Sequence, residues 1–96
     1  MAYDLEVKDE ANVEIIEAYL YYEEKRIGLG EEFLEHLDTY FDRITANPKH
    51  FPQKREPYRE AFIKRFPFLV IYEISKRKVI VYSVFNTWQN PDKKKK

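Results

Sequence analysis

The chain has 96 residues, 44% of them apolar and 35% charged, with no cysteine and a formal net charge of zero. That is one domain of a size that buries roughly 60 to 70% of its unfolded surface. The composition excludes a disulfide framework, and no run approaches the ~20 apolar residues a membrane span needs. The start, "MAYDLEVKDE", is acidic and lacks the apolar stretch of a signal peptide, so the expected location is the cytoplasm. The neutral total hides a division: residues 1 to 42 hold 13 Asp/Glu against 3 Lys/Arg, and residues 43 to 96 hold 14 Lys/Arg against 4 Asp/Glu. Either acidic helices attract a basic sheet within one fold, or the basic half serves an anionic partner.

"YDLEVK", residues 3 to 8, alternates Tyr3, Leu5 and Val7 with polar residues, which predicts a short strand near an edge. From Asp9, a plausible N-cap, the period changes. Val13, Ile16, Leu20 and Ile27 line one helical face, widened by Ile15, Tyr19 and Tyr22, and Gly28 is the expected stop. A second helix from about Glu31 carries Phe33, Leu34, Leu37, Tyr40, Phe41 and Ile44 at spacings of three and four, and ends at Asn47 and Pro48. Only "GLG" separates the two, so they should pack as an antiparallel hairpin.

"PKHFPQKREP", with three prolines and no period, reads as a surface loop. Three strand candidates follow: "YREAFIKRF", "FLVIYEIS" and "KVIVYSVF", the last two joined by a basic turn at Lys76 and Arg77. The expected fold is therefore α+β, ordered β-α-α-β-β-β as a single domain over residues 1 to 96. A helical hairpin would cover one face of a four-stranded, mostly antiparallel sheet. From Phe68 to Phe85 both alternating sets are largely apolar, so the second sheet face should be covered by the chain's own loops and tail or by a partner.

Arg59, Ala61, Ile63 and Arg65 fall on one face of an extended strand, where two arginines can grip a phosphate or carboxylate, or else pair with the acidic helices. Tyr72 is a stacking or proton-donating candidate, in an apolar strand where core or cross-strand packing is the commoner role. Trp88 lies in the polar segment "NTWQNP" and either caps the core or offers an aromatic anchor. His36 follows Glu32 by one helical turn, but two ligands make no metal site, and His50 has no fixed partner. Only Gly28 and Gly30 exist, so there is no phosphate-binding loop, and Ser75 and Ser83 lack a His-Asp constellation. The run Lys93 to Lys96 is a solvated end or an electrostatic attachment to nucleic acid.

"YREAFIKRFPFLVIYEI" followed by "VIVYSVFNTWQNP" resembles the RelE/ParE superfamily of type II toxins, in particular its ParE-like plasmid-stabilisation branch. The matching pieces are Tyr58 and Arg59, the Phe66-Pro67-Phe68 step, Tyr72 and Glu73, and Phe85 to Pro91. Many relatives carry a histidine where this chain has Asn86 and an arginine near Gln89. A carboxamide titrates nowhere near neutral pH, so this tip lacks the acid-base residue expected of the RNA-cleaving branch.

The resemblance implies a non-catalytic toxin that binds DNA gyrase and is held by a cognate antitoxin, as a homodimer or a toxin-antitoxin hetero-oligomer. The alternatives are a ribosome-dependent mRNA endonuclease, with the ribosome as target, or a toxin fold that has lost activity and binds only. No cofactor or metal is implied. The expected target-binding residues are Arg59, Arg65, Tyr72, Asn86, Trp88 and Gln89.

Overall fold

The computed structural model describes residues 3–88. In chain order the elements are β1 (Asp4–Val7), α1 (Asp9–Lys25), α2 (Leu29–Ala46), a single 3-10 turn at Pro48–His50, β2 (Gln53–Arg55), β3 (Tyr58–Ile63), β4 (Phe68–Ser75) and β5 (Lys78–Asn86). The sheet runs β1-β5-β4-β3-β2 and is mixed, with β1 parallel to β5 and the other pairs antiparallel. The expected α+β hairpin-on-sheet architecture is therefore present with five strands instead of four.

The added strand is Gln53–Arg55, inside the segment read as a loop. All three of its residues are exposed, so it carries no apolar alternation from which to predict it. It reaches only two residues of β3, pairing Gln53 with Arg59 and Arg55 with Tyr58, across a turn whose Glu56-Pro57 peptide is cis. β3 in turn stops at Ile63, short of the stretch to Phe66 that the sequence suggested. β1 is the predicted edge strand, in register from Asp4 opposite Lys78 to Val7 opposite Val81.

α1 begins at Asp9, but its N-cap is Lys8, which makes no side-chain capping bond; Asp9 and Glu10 instead lie in the first turn, where negative charge meets the helix dipole favourably. The larger correction concerns the buried face of α1. Val13, Ile16 and Leu20 are 52%, 58% and 55% exposed and Ile27 is 90% exposed. The helix turns inward on Ala11, Ile15, Ala18 and Tyr22, spaced by four, three and four. Small residues at positions 11 and 18 let the helix approach its neighbours closely, which the bulkier stripe would prevent.

α2 follows the predicted pattern, with Phe33, Leu37, Tyr40, Phe41 and Ile44 buried. These pack on the sheet residues Ala61, Ile63, Phe68, Val70, Tyr72, Val79, Val81 and Val84. Tyr22, Phe33, Phe66 and Phe68 form one aromatic cluster, with Tyr22 and Phe66 ring centroids 4.9 Å apart. Aromatic groups concentrate buried area at few positions, which suits a small core.

The hairpin connection is built around Glu23. Gly28 takes the left-handed conformation, φ 91°, that permits the tight reversal. Its N–H and that of Gly30 donate to the two carboxylate oxygens of Glu23 at 2.9 and 3.0 Å. A residue of the first helix thus satisfies amides at the start of the second, where α2 has no cap from its own N-cap side chain. Gly30 is also the point of closest approach: a Cβ there would lie 2.8 Å from the Tyr19 carbonyl oxygen.

Candidate functional site

β3 antiparallel to β4 sets Arg59 opposite Tyr72 on the helix-facing side of the sheet. Tyr72 has no exposed surface, and its hydroxyl donates to the Pro48 carbonyl at 2.6 Å. Burial pushes the phenol up to about 12, slightly opposed by the Arg59 charge. Arg59 donates to the carbonyls of Phe51 at 2.8 Å and Lys49 at 3.3 Å. The two residues together tie the segment after α2 to the sheet, and Tyr72 presents no surface to a partner.

Arg65 lies elsewhere. Because β3 ends at Ile63, the alternation that placed Arg65 beside Arg59 does not extend to it. It donates to Glu32 at 2.8 Å, near the start of α2, and its guanidinium sits 5.6 Å from the Phe66 ring. The Arg65 hydrogen bond, and after it that of Arg26 at 3.2 Å, holds the Glu32 carboxyl below its usual value. Among the ion pairs of the described residues, Arg65–Glu32 alone joins the acidic helices to the basic half of the chain. Ion pairing between the acidic helices and the basic half is therefore confined, among the described residues, to one exposed contact, of a kind that contributes little to stability.

The polar tip begins where β5 ends. Asn86 accepts the Trp88 N–H through its side-chain oxygen at 2.9 Å, and Thr87 bonds the Pro67 carbonyl through both its N–H and its hydroxyl, at 2.7 and 3.0 Å. This fixes the tip against the β3–β4 turn and leaves Trp88 84% exposed. An aromatic ring held outward on a pinned turn is a contact group at low entropic cost. Gln89, like Asn90, Pro91 and the run Lys93 to Lys96, lies outside the described residues.

His36 directs Nδ1 to the Glu32 backbone carbonyl at 2.9 Å, so that nitrogen is engaged within the helix. No group of three or more His, Cys, Asp or Glu residues could hold a metal among the described residues, and no helix there is long and apolar enough to cross a membrane.

The second sheet face remains partly open. Phe62 is 52% exposed and Tyr58 37% exposed, and Leu69 and Ile71 beside them are half-buried. Tyr58 meets Tyr82 edge to face at 5.5 Å, and the Tyr82 hydroxyl donates to Glu73 at 2.8 Å. Along the margin of this face runs a groove of about 810 Å³, where Phe51, Phe62 and Leu69 meet Arg43, Lys54, Lys64 and the carboxylate residue Glu60. None of these three cations takes part in the ion pairs found among the described residues. Their convergence has no signature in the sequence, since they come from α2, β2 and the residue after β3.

Glu14 is a further residue that sequence reasoning missed. β1 pairs with β5 only as far as Val81, and beyond it Glu14 accepts from the Ser83 hydroxyl at 2.9 Å and the Val84 N–H at 2.8 Å.

Residues 5–91 match the family model described as the ParE toxin of the type II toxin-antitoxin system, parDE. Among solved structures, the chain is similar to one described as the chromosomal ParDE TA system from P. aeruginosa, with a TM-score of 0.78 at 10% identity, covering 88% of this chain and 96% of that one. At that identity the likeness is one of fold. No curated protein matches.

Proposed function

The chain belongs to the ParE toxin family of type II toxin-antitoxin systems, and from that premise we propose that it acts by binding and inhibiting a cellular target, by resemblance DNA gyrase, and is neutralised by a cognate antitoxin. The observation that supports binding over catalysis is the state of the groups a nuclease would use. Tyr72 is buried and its hydroxyl is donated to the Pro48 carbonyl, so its phenol is not presented to a substrate. Asn86 is spent on the Trp88 amide and has no titrating group.

A gyrase supercoiling assay run beside a translation reaction tests this. Loss of supercoiling with intact ribosome-bound mRNA is the expected result. Codon-positioned cleavage products would transfer the protein to the endonuclease class, and no effect in either reaction would leave a binding module. Neutralisation is tested by co-expression with the adjacent small open reading frame, whose product should co-purify. A monodisperse monomer with nothing retained would count against it.

A further inference from the structure

α1 is apolar on two opposite sides. Ala11, Ile15, Ala18 and Tyr22 face the core, while Val13, Ile16 and Leu20 begin two residues later, which on a helix of 3.6 residues per turn is a rotation of about 200°. A helix with a single core needs one apolar stripe, and the second costs solubility. The exposed stripe also has the spacing of a two-helix seam. With Val13 and Leu20 at a and Ile16 at d, the e positions are Glu10, Glu17 and Glu24, all exposed. The g positions Asn12 and Tyr19 are neutral.

We infer that the outer face of α1 is one half of a heterotypic helical seam, whose other half is a basic amphipathic helix with Leu-like residues facing Val13, Ile16 and Leu20 and Lys or Arg facing the glutamate ladder. The charge pattern selects this occupant. A second copy of the chain would meet Glu with Glu if the helices ran antiparallel, and with Asn12 and Tyr19 if they ran parallel, so neither arrangement gives the ladder cations. The hairpin itself supplies no competitor, since Lys25 lies over the Tyr21 ring at 5.0 Å and Arg26 is bound to Glu32. That the partner helix belongs to the antitoxin rests on the function proposed above; the surface and the chemistry of its occupant do not.

The test uses the full chain and two synthetic helices of about two heptads, alike in their a and d leucines and differing only in Lys or Glu at e and g. Fluorescence anisotropy should show the Lys helix bound about tenfold or more tightly than the Glu helix, with affinity falling as salt rises. Leu20→Asp should abolish binding with an unchanged circular dichroism spectrum, because the side chain is already exposed. Glu17→Lys with Glu24→Lys should reverse the preference toward the Glu helix. Equal binding of both helices, binding of neither, or unchanged affinity in Leu20→Asp would overturn the assignment. So would a dimer in sedimentation that Ile16→Asp dissolves, since the occupant would then be a second copy. If an antitoxin co-purifies equally well with Leu20→Asp, the antitoxin reading stands but the antitoxin is not the occupant of the seam; if the Lys helix binds as stated and no antitoxin is retained, the seam stands and that reading fails.

Discussion

The carboxylate of Glu14 accepts the backbone N–H of Val84, a residue 70 positions later, at 2.8 Å. In a sheet that N–H would bond to a neighbouring strand, but β1 has already turned into α1 at this level. A helix side chain takes the place of the missing strand and binds the Ser83 hydroxyl as well. Glu14→Ala should destabilise the fold by about 1 to 3 kcal/mol, the cost of leaving a partly buried donor unsatisfied. Glu14→Gln, which keeps a carbonyl oxygen for the amide, should cost less. Urea unfolding curves of the two variants check the order, and equal stabilities for Glu14→Ala and the parent would show the bond to be dispensable.

Gly30→Ala sets two effects against each other. Alanine gains about 1 kcal/mol of helix propensity over glycine. The added Cβ, however, would sit 2.8 Å from the Tyr19 carbonyl oxygen and from the Glu23 carboxylate oxygen, and the former is backbone that cannot swing away. Overpacking of this kind costs typically ~1 to 3 kcal/mol, so a lowered melting temperature is expected. A rise would mean that the two helices separate with ease.

Tyr72 makes stability depend on alkaline pH. Its phenol loses a proton near 10 in an unfolded chain and is pushed up to about 12 in the fold, so the folded state holds the proton more tightly. The contribution is complete below pH 10 and is lost as pH rises from about 10 through 12. Tyr72→Phe should remove its share of that decline while lowering stability at neutral pH, because the Pro48 carbonyl loses its donor at 2.6 Å. Denaturation measured at pH 7 and between pH 10 and 12 distinguishes the two effects.

Trp88 and Arg59 should separate function from folding. Trp88→Ala removes a side chain that is 84% exposed and should leave the melting curve within ~0.5 kcal/mol of the parent. Growth inhibition on induction should fall if the ring anchors the target. Arg59→Ala frees the carbonyls of Phe51 and Lys49 and should lower stability as well, so a loss of toxicity there would not by itself place Arg59 at the target. Full toxicity in Trp88→Ala would remove the tip from the contact surface.

The elements with a clear period were legible: the edge strand, both helices and the three strands from Tyr58 to Asn86 agree in kind and order. Periodicity could not decide between the two stripes of α1. The larger side chains suggest the stripe at Val13, Ile16 and Leu20, whereas the burial of Ala11 and Ala18 turns the helix the other way. β2 escaped because a strand exposed along its whole length leaves no apolar signature. At the site, alternation placed Arg59 and Arg65 together by assuming a strand that continues, and the strand ends between them. Glu14 and Glu23 act on backbone amides, and any acidic residue on a solvated helix looks the same in sequence. The tip was read correctly as polar, but the bond from Asn86 to the Trp88 amide follows from geometry alone.

The pairing of β1 with β5 also governs when the protein becomes itself. β5 lies between β1 and β4, yet among the described strands it is synthesised last. Until it emerges, the first strand has no neighbour in the sheet, and the inner faces of α1 and α2 lack Val79, Val81 and Val84. Contacts so distant in sequence cannot reward the loop they close until β5 has been made. An interrupted translation product ending before Lys78 would therefore carry both helices and no closed sheet. Such a fragment would expose the apolar inner faces of both helices to proteases, so the order of strands confines the stable fold to chains that include β5.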